Sequence, residues 1–414
     1  MSDKMRNFGW TVALSGTGIN LALGVLYTWS VISKAIPSEW GWNEAQRALP
    51  YSIACIVFAV IMVAAGRMQD RIGPRIVATL GGILTGAGFI IASASSSLTL
   101  FVIGFGILAG AGIGFGYASA TPPAVKWFPP QRTGLIAGIV VAGFGLASVY
   151  TAPLAKYLIG VYGIQTAMRV FGVGFLVFVV ILSQMLRNPP EGYKPIASET
   201  AAKRKTTTTP PAVNYAWNEM LRTPQFYLLW FMFACGSGAG LMIIGKLAKI
   251  VELQSGSKAG FILVALLAVG NASGRVVAGV LSDRIGRTMT MLIVFVVQAL
   301  LMFTLRLQNQ LGLLVVYSML IGFSYGACLS LFPSTTKDYF GIKNFGVNYG
   351  LVFTAWGAGG FVLPLLSGKI YDTNGSFHTA YLIAGFIMLV AAAVTLVTKA
   401  PKEETVPQAL KAAA

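Results

Sequence analysis

Acidic side chains are scarce in this sequence, with 13 Asp and Glu against 30 Lys and Arg, and only 10% of the 414 residues are charged. Soluble domains carry about 25% charged residues, so this composition excludes an ordinary water-soluble domain. The positions of the acids exclude more. None of the 13 falls in the middle of an apolar run, which leaves no intramembrane carboxylate of the kind that cation exporters hold. The single histidine, His378, and three cysteines, Cys55, Cys235 and Cys328, are too far apart in sequence for a metal site or a disulfide framework. G-x-S-x-G, H-E-x-x-H and Walker A patterns are missing, which excludes the hydrolases and the ATP-driven pump they would mark. No enzyme and no cofactor are implied.

Hydrophobic residues make up 56% of the chain, and they come in long runs. A span needs about 20 mostly apolar residues. Twelve runs qualify, at 8–34, 49–66, 76–95, 99–122, 134–156, 166–186, 225–246, 259–281, 289–305, 312–333, 348–368 and 379–398. The first follows M-S-D-K-M-R-N and is too long for a signal-peptide core, so it is expected to stay as a span. Between the sixth and seventh lies a Pro/Thr-rich stretch containing K-R-K-T-T-T-T-P-P, which has the composition of a linker. The expected organisation is therefore 1–186, a linker at 187–223, 224–398, and a tail at 399–414. Twenty of the 30 Lys and Arg fall in the termini, the linker and the loops on the same side. The positive-inside rule then puts both termini in the cytoplasm and accounts for the net charge of +17 without nucleic acid.

One fixed cation stands apart from these loops. Arg275 lies inside the eighth run, where a charge costs at least about 2.5–3.5 kcal/mol on the most lenient scale. Asn271 is one helical turn earlier and shares its face. Arg remains charged and presents a planar fork matching a carboxylate, so an anionic ligand is expected. The competing reading is snorkelling towards the interface near Asp283, about 12 Å away at ~1.5 Å per residue. Gly270 and Gly274 favour a crowded, protein-facing position instead. Tyr27, Tyr117, Tyr325 and Trp356 are further polar aromatics within spans, each of which singly reads as packing or as a hydrogen-bond donor to a bound anion.

The halves repeat. Gly66 to Arg75 reads G-R-M-Q-D-R-I-G-P-R and Gly279 to Arg287 reads G-V-L-S-D-R-I-G-R. Such a loop permits a tight turn at Gly73 or Gly286, with its Asp and Arg bridging to neighbouring helix ends. Here the chain resembles the major facilitator superfamily, whose loop between spans 2 and 3 follows G-x-x-x-D-R-x-G-x-R. Gly66, Asp70, Arg71, Gly73 and Arg75 match it; Asp283, Arg284, Gly286 and Arg287 match a second copy. The resemblance implies an all-α membrane protein with twelve transmembrane helices in two six-helix pseudo-symmetric bundles that rock about a midplane site. The D-R-x-G loops would latch the cytoplasmic side.

G-V-L-Y-T-W (24–29), K-W-F-P-P-Q-R-T-G (126–134), M-L-R-T-P-Q-F (220–226), L-F-P-S-T-T-K-D-Y-F-G (331–341) and N-Y-G (348–350) are similar to stretches of the oxalate/formate antiporters and their monocarboxylate-transporter relatives. By that resemblance Arg275 is the substrate arginine of span 8, and Leu26, Phe144, Leu329 and Trp356 shape the pocket. The oxalate carriers' span-11 lysine is here Trp356, and one cation suits a monocarboxylate. The lactate carriers' paired aspartate is here Asn271, and the one lysine of span 1, Lys34, is at its outer end rather than inside the membrane. The resemblance implies a bacterial plasma-membrane carrier for small monocarboxylates such as lactate or pyruvate. Its coupling is open: proton symport fits the relatives but requires the proton to travel with the substrate, water or a tyrosine. Anion exchange, drug efflux and a carboxylate sensor are the rival functions.

Overall fold

A computed structural model describes residues 3–129, 133–190, 193, 214–341 and 344–401. Most of the expected linker at 187–223 and of the tail at 399–414 lies outside the described residues. The described residues are helical, with no strand among them. The spanning helices are α1 (Phe8–Lys34), α2 (Glu44–Ile72), α3 (Pro74–Ala92) and α4 (Leu98–Lys126). Thr133–Ser183 is a single helical run broken at Gly163, where φ is 76° and ψ 167°. A φ of that sign is open to glycine and closed to most other residues, so the run is two spans, α5 (133–162) and α6 (164–183). The second half comprises α7 (Pro224–Ser255), α8 (Gly260–Ile285), α9 (Arg287–Leu305), α10 (Leu311–Phe340), α11 (Phe345–Asn374) and α12 (His378–Val397).

Among the described residues the count is twelve once the run is divided at Gly163, as the sequence predicts, in two six-helix bundles. The loop repeat is also a conformational repeat. Gly73 (φ 89°, ψ 155°) and Gly286 (φ 92°, ψ 157°) each end one helix and start the next in nearly the same backbone state. Several helices outrun their apolar runs, and two of the extensions matter where the bundles meet. Helix α7 continues nine residues past the expected end at 246, and α2 starts at Glu44 rather than at 49. Polar side chains that hydropathy places outside the spans therefore sit on helices, shielded by the neighbouring bundle.

The bundles meet mainly along α2 against α11, α5 against α8, and α1 against α7. Within the second bundle α8 and α10 pack backbone to backbone. A Cβ added at Gly270 would lie 2.1 Å from the Met319 carbonyl, and one at Gly326 would lie 2.0 Å from that of Asn271. Small residues allow this approach, and it fixes α8 with Val276, Val277 and Val280 on the outward, lipid-facing side. Arg275 and Asn271 consequently point elsewhere.

Candidate functional site

Asn271 is fully buried, wedged against α10 at Gly326. Its Oδ1 accepts a hydrogen bond from Arg275 Nε at 3.1 Å. Arg275 Nη1 donates to the carbonyl of Val141 on α5, in the opposite bundle, at 2.9 Å. The guanidinium thus reaches across the interface between the bundles, which is the reverse of snorkelling to the membrane surface. Among the described residues no Asp or Glu lies within ion-pair distance of it.

An aromatic box adjoins this cation. The Trp356 indole N–H donates to the Tyr325 hydroxyl at 2.7 Å, and the Tyr325 and Tyr27 hydroxyls are 2.7 Å apart. Indole N–H is donor only. The Tyr325 oxygen therefore accepts from Trp356 and shares a second hydrogen bond with Tyr27 in which either hydroxyl can donate. Phe144 packs edge-on against Tyr27 (5.1 Å) and Tyr117 (5.2 Å). The 3-10 turn Gly24–Thr28 within α1 carries Tyr27 to this point. Gly24 permits it, because a Cβ there would lie 2.4 Å from the Phe144 carbonyl.

The sequence-predicted residues thus converge unevenly. Arg275 and Asn271 form one unit, and Tyr27, Tyr117, Phe144, Tyr325 and Trp356 form the adjoining box. Leu26 is buried beside Tyr27, and Leu329 is buried one turn beyond Tyr325 on α10. Three lining side chains escape the sequence reading. Phe353 stacks on Trp356 (5.2 Å, 14°) and on Tyr117 (6.4 Å, 21°). Phe58 contacts Tyr117, Phe144 and Trp356. Tyr349 packs on Phe353. The spacing of Tyr349, Phe353 and Trp356 puts all three on one helical face, a usable signal; Phe58, in a uniformly apolar helix, offers none.

The two ends of the molecule differ. At the end opposite the D-R-I-G loops, charges knit the bundles together. Lys246, 3% exposed, donates to Glu44 Oε2 at 2.8 Å and to the Glu44 carbonyl at 2.9 Å. Lys249 donates to Glu44 Oε1 at 2.7 Å and lies 4.1 Å from the Tyr371 ring centroid. The Asp372 carboxylate accepts from the Glu44 and Ala45 amides at 2.7 and 2.9 Å, where it also meets the positive end of α2. Lys34 pairs with Glu252 at 2.9 Å. Lys246, the last residue of its apolar run, is thus a second cation held between the bundles, and it is more deeply buried than the half-buried Arg275.

At the D-R-I-G end, among the described residues, the ion pairs stay within each bundle. Asp70 pairs with Lys126 of α4 at 3.7 Å. Arg287 pairs with Asp283 at 2.7 Å and with Asp338 of α10 at 2.9 Å, and also donates to Ser282. Arg71 and Arg284 are exposed, and Gly66 and Arg75 are half-buried. Among the described residues, no ion pair at this end joins the two bundles.

Comparison with known proteins agrees with this architecture. The Major Facilitator Superfamily model matches residues 11–253 and again 247–413, one match per half. The oxalate:formate antiporter of Oxalobacter formigenes is 29% identical over 372 residues, covering 89% of this chain and 86% of that one. Monocarboxylate transporter 12 of Xenopus laevis is 24% identical over 426 residues, covering 94% and 90%. The crystal structure of a bacterial homolog of the human lysosomal transporter Spinster, inward-facing and occupied, superposes with a TM-score of 0.68 at 16% identity, over 98% and 99% of the two chains. That last likeness concerns the fold alone. With both halves matched by the family model and twelve helices in place, this chain belongs to the major facilitator superfamily and is a membrane transporter, not an enzyme.

Proposed function

We propose that the protein carries small monocarboxylate anions, such as L-lactate or pyruvate, across the bacterial plasma membrane by alternating access, with Arg275 as the carboxylate clamp. The observation that carries this reading is a guanidinium set between the bundles with no acidic partner among the described residues. A carboxylate held by two charge-assisted hydrogen bonds neutralises it, each bond contributing about 1.5–3 kcal/mol. Asn271 orients the fork, and the Tyr27 hydroxyl, with Tyr117, supplies further donors. Phe144, Phe353, Leu26, Leu329 and Trp356 enclose a short carbon body, and Trp356 leaves no second cation for a dianion. The two names among the relatives, an oxalate:formate antiporter and a monocarboxylate transporter, support the same substrate class.

The Glu44 cluster serves as the outer gate. The D-R-I-G loops, with Asp70, Arg71, Asp283 and Arg284, latch the cytoplasmic side in the opposite state. Both termini and the linker face the cytoplasm, and the six-helix halves move as units 1–186 and 224–398. Proton symport is the favoured coupling. Anion exchange is the second reading, favoured by the lack of an acid or histidine beside Arg275 among the described residues.

The test is uptake of labelled L-lactate into proteoliposomes with and without an inward proton gradient, for the wild type and Arg275→Ala. Acid-stimulated uptake that a protonophore collapses and Arg275→Ala lacks is the expected result. Uptake that requires preloaded anion and ignores the gradient identifies an exchanger. Normal uptake by Arg275→Ala would remove Arg275 from the site.

A further inference from the structure

Arg275 rests on a specific patch of the opposite bundle. Its Nη1 donates to Val141 O at 2.9 Å. One turn further along α5 is Gly145, and the three atoms nearest to a Cβ built there all belong to Arg275: Cζ and Nη2 at 3.5 Å and Nε at 3.6 Å. The guanidinium therefore lies over bare helix backbone. Nearby Gly143 has a different explanation, since a Cβ there would strike the Thr17 carbonyl at 2.4 Å; it is required by helix packing. Nothing but Arg275 stands among the nearest neighbours of position 145. A helical carbonyl keeps a second lone pair, so Val141 can accept from Arg275 without surrendering its place in the helix.

We infer that the Val141 carbonyl, kept uncovered by Gly145, is the acceptor that receives the Arg275 guanidinium when the carboxylate leaves, and that this contact lets the unloaded carrier reorient. The inference rests on Arg275 being the carboxylate clamp. Arg does not deprotonate in a protein, so an unloaded carrier crosses between its two states with the charge in place. A buried cation with no acceptor raises that barrier; a carbonyl dipole of the opposite bundle lowers it. Net transport includes one unloaded crossing per cycle. Exchange of one anion for another includes none, because both crossings are loaded. Gly145 is thus a positioning residue for net flux and has no part in binding.

The experiment compares two fluxes of labelled L-lactate in proteoliposomes: net uptake into empty vesicles, and exchange into vesicles preloaded with unlabelled L-lactate. Gly145→Val should cover the carbonyl, lowering net uptake about tenfold while exchange stays within about twofold of wild type. Gly145→Ser, smaller, should give the same split in weaker form. Equal loss of both fluxes in Gly145→Ser, or no loss of net uptake in Gly145→Val, overturns the inference. Arg275→Ala keeps the two levels of the reading apart: if it abolishes exchange, the clamp stands whatever Gly145 does, and if it exchanges like wild type, clamp and inference fall together.

Discussion

Side chains at the site differ in how many of their hydrogen-bonding positions are already committed. Arg275 spends one N–H on Asn271 and one on Val141, and the rest of its fork is available. The Tyr325 hydroxyl, by contrast, is held by both Trp356 and Tyr27 and so fixes the Tyr27 hydroxyl in place. Trp356→Phe tests this anchoring. The ring still stacks on Phe353 and packs against Phe58, so folding should be preserved, while Tyr325 loses the donor that anchors it and the Tyr27 hydroxyl is less firmly held. We expect KM for L-lactate to rise about fivefold, the equivalent of one neutral hydrogen bond of about 1 kcal/mol, with maximal flux little changed. Concentration-dependent uptake in proteoliposomes checks it.

At the scale of helices, α2, α7 and α11 converge on Glu44. Glu44 and Lys246 are 6% and 3% exposed, so each charge has lost its water and depends on the other. Breaking such a pair costs about 3–5 kcal/mol because the remaining charge is stranded, whereas replacing both partners by uncharged groups is close to neutral. Glu44→Gln alone should lower the unfolding temperature of the purified protein sharply. Glu44→Gln with Lys246→Met should recover most of the loss. A thermal-unfolding double-mutant cycle measures the coupling, and additive effects would show that the two residues are independent.

For the whole molecule, the asymmetry between its ends defines what must move. One end is joined across the bundles by Glu44, Lys246, Lys249, Asp372 and the Lys34–Glu252 pair; at the other, ion pairs remain inside each bundle. A rocking carrier has to part the first end to admit substrate there. Lys34→Cys with Glu252→Cys, joined by a short thiol-reactive cross-linker, should stop L-lactate flux, and reductive cleavage of the linker should restore it. The three native cysteines are buried, so labelling should be confined to the introduced pair. Flux that persists in the cross-linked protein would mean that this end does not open during transport.

Much of the fold was legible because the bilayer simplifies the problem. Span length is set by membrane thickness, and twelve apolar runs therefore gave twelve helices. The D-R-I-G repeat disclosed the two halves, and the glycine in each copy marked a backbone state closed to other residues. Arg275 was legible for the same reason, since a lone charge in an apolar run has no cheap alternative explanation. Tyr27, Tyr117, Tyr325 and Trp356 were visible as polar aromatics within spans, whereas Phe144 came only through resemblance.

Tertiary structure decided what pairwise distance decides. No local pattern announces that Arg275 reaches Val141, 134 residues away, or that Tyr27 meets Tyr325 across 298 residues. Hydropathy placed Glu44 outside its span and Lys246 at the very end of its own, because it averages over a window. Only packing of one bundle on the other revealed them as buried partners. A window along the chain records how much a segment prefers lipid or water, while the partner that makes a buried charge tolerable comes from a different helix.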